Sequence, residues 1–254
     1  MSVPQHPEKL SQSSLLNAKD VIAQNSKLTD LEKVPMAAIL TYQPNLIKAV
    51  SKQYRLKKID GLYGDVHWLD KKKSGIVVAS NFGIGAPVAS VVLENLIALG
   101  VKRFINIGTA GSISTELEIG DLVVCSKALR DEGTSHHYLP AAEYANPSED
   151  LKTAVIASLD SHGYAHNAGP TWTTDAPYRE TKSEIIHYRD KGILTVEMEA
   201  AALFAIGQFR QVEVAAAFAV SDVADENGWR FDTGIRSTHE GLINLFEAAV
   251  DTLT

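Results

Sequence analysis

The segment Thr195-Val196-Glu197-Met198-Glu199-Ala200 places a carboxylate on each side of a methionine, where a short apolar stretch passes into an alanine-rich one. In extended backbone, residues i and i+2 point the same way, so Glu197 and Glu199 can serve one pocket. A carboxylate can accept both hydrogens of a vicinal diol such as the ribose 2′,3′-diol, and methionine gives a sugar an adaptable apolar floor. The same pattern also suits a helix N-terminus, where the dipole favours acids and Met198 would belong to the core.

Further segments carry polar groups at the ends of apolar runs. In Gly83-Ile84-Gly85-Ala86-Pro87, glycines after a β-rich run can aim backbone N–H groups at a ligand, or can simply make a tight turn. Asn106-Ile107-Gly108-Thr109-Ala110-Gly111-Ser112 reads as a strand leaving into a Gly-rich loop, with the Thr109 hydroxyl among backbone amides suited to a phosphate, a ribose hydroxyl or a base carbonyl. An apolar strand ends in Ser221-Asp222, a usual place for a site residue in a parallel α/β sheet and equally for a helix cap. A half-buried acid there can act as a general acid. Trp172 to Thr181 gathers Trp172, Asp175, Tyr178 and Arg179, which could cover a heteroaromatic base and bond its edge; a proline turn before a helix capped by Thr181 is the alternative. In Arg130 to Tyr138, His136 and His137 are adjacent and so point apart, which makes them poor joint metal ligands.

Positioning these groups requires alternating strands and helices. Runs at 37–42, 75–80, 103–107, 122–125, 193–196 and 212–220 read as strands. Helical spacing covers 46–54, 88–99, 151–162, 181–191, 198–207 and 235–253, with Gly100, Gly163 and Gly192 as stops. Residues 1–33 read as an arm with one short helix, and 34–254 as one α/β domain without an internal repeat or linker. His6 falls on the arm and is expected to be idle.

The composition narrows the function classes. The chain has 254 residues and a net charge of −7, and its longest basic run, Lys71-Lys72-Lys73, reads as a solvated turn. No basic face for nucleic acid is evident. A single cysteine, Cys125, sits in an apolar run; it excludes an internal disulfide or a Cys-rich metal centre and reads as a buried thiol. No apolar stretch reaches membrane-spanning length and no leader pattern precedes Lys19, so a cytoplasmic location is expected. No G-x-S-x-G elbow supports a hydrolase triad, and Gly83–Pro87 does not complete a dinucleotide fingerprint.

Taken together and in this order, Gly83–Pro87, Gly108–Gly111 with Gly120-Asp121, Val196–Ala200 and Ser221-Asp222 resemble the nucleoside phosphorylase-I family of uridine phosphorylases, hexameric-type purine nucleoside phosphorylases and nucleosidases. The likeness runs from about Ala37 to the C-terminus, and the Arg130–Tyr138 and Trp172–Thr181 stretches look most like the uridine phosphorylase branch. The resemblance implies an α/β, single-domain, three-layer fold whose central mixed sheet is partly closed into a barrel and flanked by helices, assembled as a homo-oligomer, a dimer or hexamer. It implies cleavage of a nucleoside by inorganic phosphate to free base and ribose 1-phosphate, without metal or other cofactor.

By matching motif, Glu199 would bind the ribose hydroxyls, Met198 would pack on the sugar and Glu197 would support them. Thr109, Gly83 and Arg130 would hold phosphate. Ala110, Gly111, Trp172, Asp175, Tyr178, Arg179 and Ser221 would line the base. Asp222 would protonate a purine, assisted by Arg236. The chain departs from the pattern at the phosphate end: Tyr42-Gln43-Pro44-Asn45-Leu46 stands where the family shows Gly-Asp-Pro-x-Arg, and Asn106 stands where it shows arginine. Bidentate arginines are the groups best suited to a phosphate dianion. A phosphate-independent nucleosidase and an inactive nucleoside-binding protein are therefore the competing readings.

Overall fold

A computed structural model describes residues 6, 8–29, 31, 33–70, 75–225, 228–231 and 236–254. The lysine run expected as a turn lies outside these residues. The strands are β1 (Ala37–Thr41), β2 (Arg55–Ile59), β3 (Asp65–Asp70), β4 (Ile76–Ser80), β5 (Arg103–Ser112), β6 (Leu122–Asp131), β7 (Tyr144–Ala145), β8 (Asn167–Thr174), β9 (Thr195–Glu197), β10 (Glu213–Asp225) and β11 (Gly228–Phe231). The helices are α1 (Ala18–Ala23), α2 (Ser26–Thr29), α3 (Pro44–Gln53), α4 (Ala86–Leu99), α5 (Glu149–His162), α6 (Lys182–Asp190), α7 (Ala200–Arg210) and α8 (Arg236–Leu253).

All strands join one mixed sheet. β10 pairs with β6, β6 with β8, β8 with β9, β9 with β5, and β5 returns to β10, so five strands close a ring. From β5 the sheet continues through β1, β4, β3 and β2 as an open wing. The expected partial closure of a mixed sheet is thus present as this ring.

Helices cover both faces. One core joins α4 and α7 to the sheet through Leu93, Leu96, Leu203, Phe204 and Phe218. The other joins α3, α5 and α8 through Leu46, Val50, Leu159, Phe246 and Val250. In α4, Ala89, Val92, Leu93 and Leu96 are buried at helical spacing, and Gly100 in the left-handed region donates its N–H back to Ile97 and Leu96. Complete burial of each leucine contributes about 1.5–3 kcal/mol before chain entropy is counted. α7 is buried from Ala200 to Gly207 because its small residues let it lie close under the ring.

Three expectations change. The stretch read as a loop, Gly108–Ser112, is strand: β5 runs unbroken through it, paired to β10 on one side and to β9 on the other. Glycines there thin the strand where neighbours crowd it; they do not break it. Trp172 likewise lies in a strand, β8, and not in a covering loop. The arm carries two short helices, α1 and α2, with Ile22, Leu28 and Leu31 packed on the first core.

Candidate active site

A cavity of about 810 Å³ opens at the end of the ring where β5 and β10 finish. Thr109, Ala110 and Gly111 of β5, Val196 and Glu197 of β9, and Ser221, Asp222, Ala224 and Asp225 of β10 line it. Met198 and Glu199 join them from the turn into α7, Tyr42 and Gln43 from the turn after β1, and Ile84 from the turn before α4. Pro177, Tyr178, Glu180, Lys182 and Ile185 enter from the segment after β8 and the start of α6, and Gly228 and Trp229 from β11. Sites in open parallel sheets form at this carboxyl end of the strands.

The two glutamates of the opening motif divide its two possible roles. Glu197 ends β9 and caps α7: its Oε2 accepts the backbone N–H of Glu199 and of Ala200, each at 2.8 Å, and its Oε1 accepts the Thr173 hydroxyl at 2.5 Å. Glu199 is free of capping, and its Oε1 accepts the Gly85 N–H at 2.5 Å. Gly85 sits at φ +100°, a conformation that side chains disfavour, which explains the glycine there. Burial pushes the carboxyl of Glu199 above its usual range. Glu197 is raised by burial and then by the charge of Glu199. The pair therefore holds a proton that two exposed glutamates would have released.

Asp222 owes its position to a bulge. Between Val220 and Asp222 the register of β10 on β5 slips, leaving Ser221 as the extra residue. Ser221 donates its hydroxyl to Asp222 Oδ1 at 2.5 Å, and Trp229 Nε1 donates to Oδ2 at 2.8 Å. Gly111 lies directly behind: a Cβ there would stand 2.8 Å from Asp222 Oδ2 and 3.2 Å from Val196.

At the opposite end the groups are neutral. Tyr42 donates its hydroxyl to Asn106 Oδ1 at 2.8 Å, and Gln43 Nε2 donates to Thr109 Oγ1 at 3.1 Å. Burial, then the charges of Glu199 and Glu197, keeps the Tyr42 phenol protonated well above its usual range. Leu46, at the family's arginine position, is wholly buried in the core under α3. Among the described residues the cavity carries five carboxyl side chains, Glu180, Glu197, Glu199, Asp222 and Asp225, against one cation, Lys182.

Several residues singled out in the sequence stand elsewhere. Arg130 is buried, with its guanidinium committed to the Ser135 hydroxyl and the carbonyls of Leu139, Pro140 and Ala142. It staples the loop after β6 and is not in the cavity wall. Trp172 is core, its indole N–H donated to Asp131 at 2.9 Å. Asp175 accepts the Gly133 N–H and joins two loops. Arg179 is exposed on the turn after Pro177 and is outside the lining. Gly83 is outside it too; Ile84 faces inward and the neighbouring Gly85 amide goes to Glu199. Arg236 is exposed at the start of α8 and pairs with Glu240 at 2.9 Å, so Trp229, not Arg236, holds Asp222. Sequence reading missed Gln43, Glu180, Lys182 and Trp229 as lining residues. Only Glu180, an acid immediately before a cap, carried a signal.

A second cavity, about 820 Å³, lies beneath the arm among His6, Lys9, Val91, Glu94, Phe209 and Arg210. It brings none of the four motifs together, and Arg210 is paired with Glu94 there at 2.9 Å. Among the described residues no cluster of His, Cys, Asp and Glu could hold a metal ion, and no helix is long and apolar enough to cross a membrane.

Known proteins share this fold. The chain is 34% identical over 126 residues to the guanosine phosphorylase of Halorubrum lacusprofundi, a match covering 50% of this chain and 52% of that one. It is 28% identical over 151 residues to the uridine phosphorylase of Haemophilus influenzae, covering 54% and 60%. It is 29% identical over 188 residues to a purine nucleoside phosphorylase of Shewanella oneidensis, covering 72% and 80%. The matches thus span only about half to four fifths of these relatives' length. The solved purine nucleoside phosphorylase of Toxoplasma gondii, in complex with immucillin-H, superposes with a TM-score of 0.77 at 23% identity, covering 86% of this chain and 91% of that one. The uridine phosphorylase of Vibrio fischeri superposes at 0.72 and 24% identity, covering 88% and 96%. These superpositions establish the fold, and the family model described as the phosphorylase superfamily matches residues 61–251: the chain belongs to the phosphorylase superfamily, among relatives named as uridine and purine nucleoside phosphorylases.

Proposed function

We propose that this chain cleaves the N-glycosidic bond of a nucleoside with phosphate, giving free base and ribose 1-phosphate. One observation carries the reading: Glu199 is buried against the cavity, oriented by the Gly85 amide, with Met198 beside it. A diol acceptor and an apolar sugar floor at one point support the reading. As the glycosidic bond lengthens, positive charge grows on the sugar, and the negative charge remaining on the Glu197–Glu199 pair stabilises it. The base would occupy the end walled by Ala110, Gly111, Tyr178, Ser221, Asp222 and Trp229. The acceptor would approach from Thr109 and Gln43. Residues 34–254 form the catalytic body in this reading, with 1–33 as an arm, and we take the protein to be a cytoplasmic homo-oligomer.

A second reading replaces phosphate by water, and a specific feature favours it. The acceptor end offers the neutral groups of Tyr42, Gln43, Asn106 and Thr109, without a described cation, whereas a dianion calls for cationic or convergent N–H donors. Incubation with uridine, inosine and guanosine, with and without phosphate, separates the two. Phosphate-dependent release of base together with ribose 1-phosphate is expected. Equal release without phosphate assigns the reaction to water, and tight nucleoside binding without turnover refutes catalysis altogether.

A further inference from the structure

We infer that Gln43 is a positioning residue that turns the Thr109 hydroxyl proton toward the acceptor, and that the buried Thr41 sets the Gln43 amide for this task; the inference rests on the phosphate-dependent reading above. Gln43 stands at the N-cap position of α3, before Pro44, yet its side chain caps nothing there. It reaches across to β5 instead, where Nε2 donates to Thr109 Oγ1 at 3.1 Å. Both residues line the cavity. A threonine hydroxyl has one proton and two lone pairs. With a lone pair held by Gln43, the Thr109 oxygen keeps its proton to donate elsewhere. Among the described residues no protein group receives it.

The direction of the Gln43 amide decides where that proton goes. With its oxygen and nitrogen exchanged, the amide would accept from Thr109 and draw the proton away from the acceptor. Thr41 fixes the choice. It ends β1, is wholly buried, and donates its hydroxyl to Gln43 Oε1 at 3.4 Å. Were the amide exchanged, Thr41 would face an NH2 group, and its own proton would have no acceptor among the described residues. A buried donor left without a partner is costly, so the amide keeps its nitrogen on Thr109. Tyr42, between the two, cannot take over the part of Thr109, because its hydroxyl is donated to Asn106 Oδ1 at 2.8 Å.

Thr41, Gln43 and Thr109 thus form a chain with one direction, each group accepting from the one before and donating to the next. It ends in an O–H at the acceptor end of the cavity. The oxygens of a phosphate anion are acceptors, so a donor is the polarity they require. No proton moves along the chain; it sets orientation only.

A set of single and double variants tests the chain, with phosphate varied at saturating inosine or uridine. Gln43→Met keeps the length of the side chain and removes the amide. Its kcat/KM for phosphate should fall by about tenfold, while KM for the nucleoside moves by less than about twofold. Thr41→Val keeps its shape at a wholly buried position, and the same parameter should fall by about threefold or more. Thr109→Val removes the hydroxyl on which both are held to act. In that background neither Gln43→Met nor Thr41→Val should lower kcat/KM for phosphate any further. Losses that multiply with that of Thr109→Val would mean that Gln43 acts on phosphate or on the fold by itself. A loss carried by KM for the nucleoside would put the Thr109 hydroxyl on the sugar. Either result overturns the assignment. Release of base by the unmodified enzyme that is absent, or equal without phosphate, overturns the parent reading instead.

Discussion

Glu199 and Glu197 stand two residues apart and yet do different work. Glu197 caps the start of a buried helix, while Glu199 takes the Gly85 amide on Oε1 and lines the cavity. Glu199→Gln keeps an oxygen for that amide but replaces the remaining acceptor with N–H groups, which cannot receive the hydrogens of a diol. Charge-assisted hydrogen bonds contribute about 1.5–3 kcal/mol each, so kcat/KM for a nucleoside should fall by at least about 100-fold. Stability should move the other way at alkaline pH. The folded pair holds a proton that the unfolded chain releases above the ordinary value of 4.5. Its contribution is therefore full below that value and is lost as pH rises through the raised folded range. Removing Glu199 takes away one titrating group and relieves Glu197. Melting curves at pH 5.5 and 8.5 should show the unmodified protein losing more of its Tm between them than Glu199→Gln loses; parallel losses would refute the buried-pair account. These residues were legible as types and spacing. Their division was not, because capping depends on where the helix starts, and Glu199 sits only at the boundary of α7.

Elements turn the same residues toward or away from the cavity. Gly111 sits in β5 between β9 and the bulge of β10, and the room beside it is used by Asp222. Gly111→Ala would put a methyl carbon 2.8 Å from Asp222 Oδ2, forcing that side chain to turn and release Trp229. Overpacking of this kind costs about 1–3 kcal/mol, which leaves the fold intact. Nucleoside turnover should drop by more than about tenfold, more than so small a loss of stability would bring. Activity falling only in step with Tm would show that the Asp222 orientation is not what matters.

The helices α4, α5 and α6 were readable because spacing agrees with caps or left-handed glycines, and α8 by its spacing alone. The strand through Gly108–Ser112 was hidden, since its pairing with two neighbours is a property of the ring and its glycines resemble a loop locally. β8 was hidden by its own Asn-Ala-Gly-Pro start, and with it the core position of Trp172. Arg130 looked like a phosphate ligand because nothing in the chain announces the carbonyls that consume it.

At the scale of the molecule, the ring gathers the site and the wing with its helices braces it, while the arm adds surface contacts at the far end of α4. The described arm residues enter the second cavity and none lines the first. Up to Leu16 the arm holds on mainly through Lys9 on His137, and Leu15 and Leu16 are exposed. From Asn17 its character changes. Asn17 caps α1, Asn25 donates to the Gly61 carbonyl at 3.1 Å, and Leu28 is buried on the first core with Ile22 and Leu31 beside it. Removing residues 1–15 should leave both Tm and kcat/KM nearly unchanged. Removing residues 1–31 strips one buried and two half-buried aliphatic side chains from that core. At about 1.5–3 kcal/mol for a fully buried aliphatic group and less for a half-buried one, several kcal/mol are lost. For a chain of this size that corresponds to a Tm lower by roughly 10 °C. The two truncations separate packing from function. A loss of nucleoside turnover with the shorter truncation at unchanged Tm would mean that His6 or its neighbours act at an active site, which in a homo-oligomer would be that of an adjoining subunit, and the arm would cease to be an accessory of the fold.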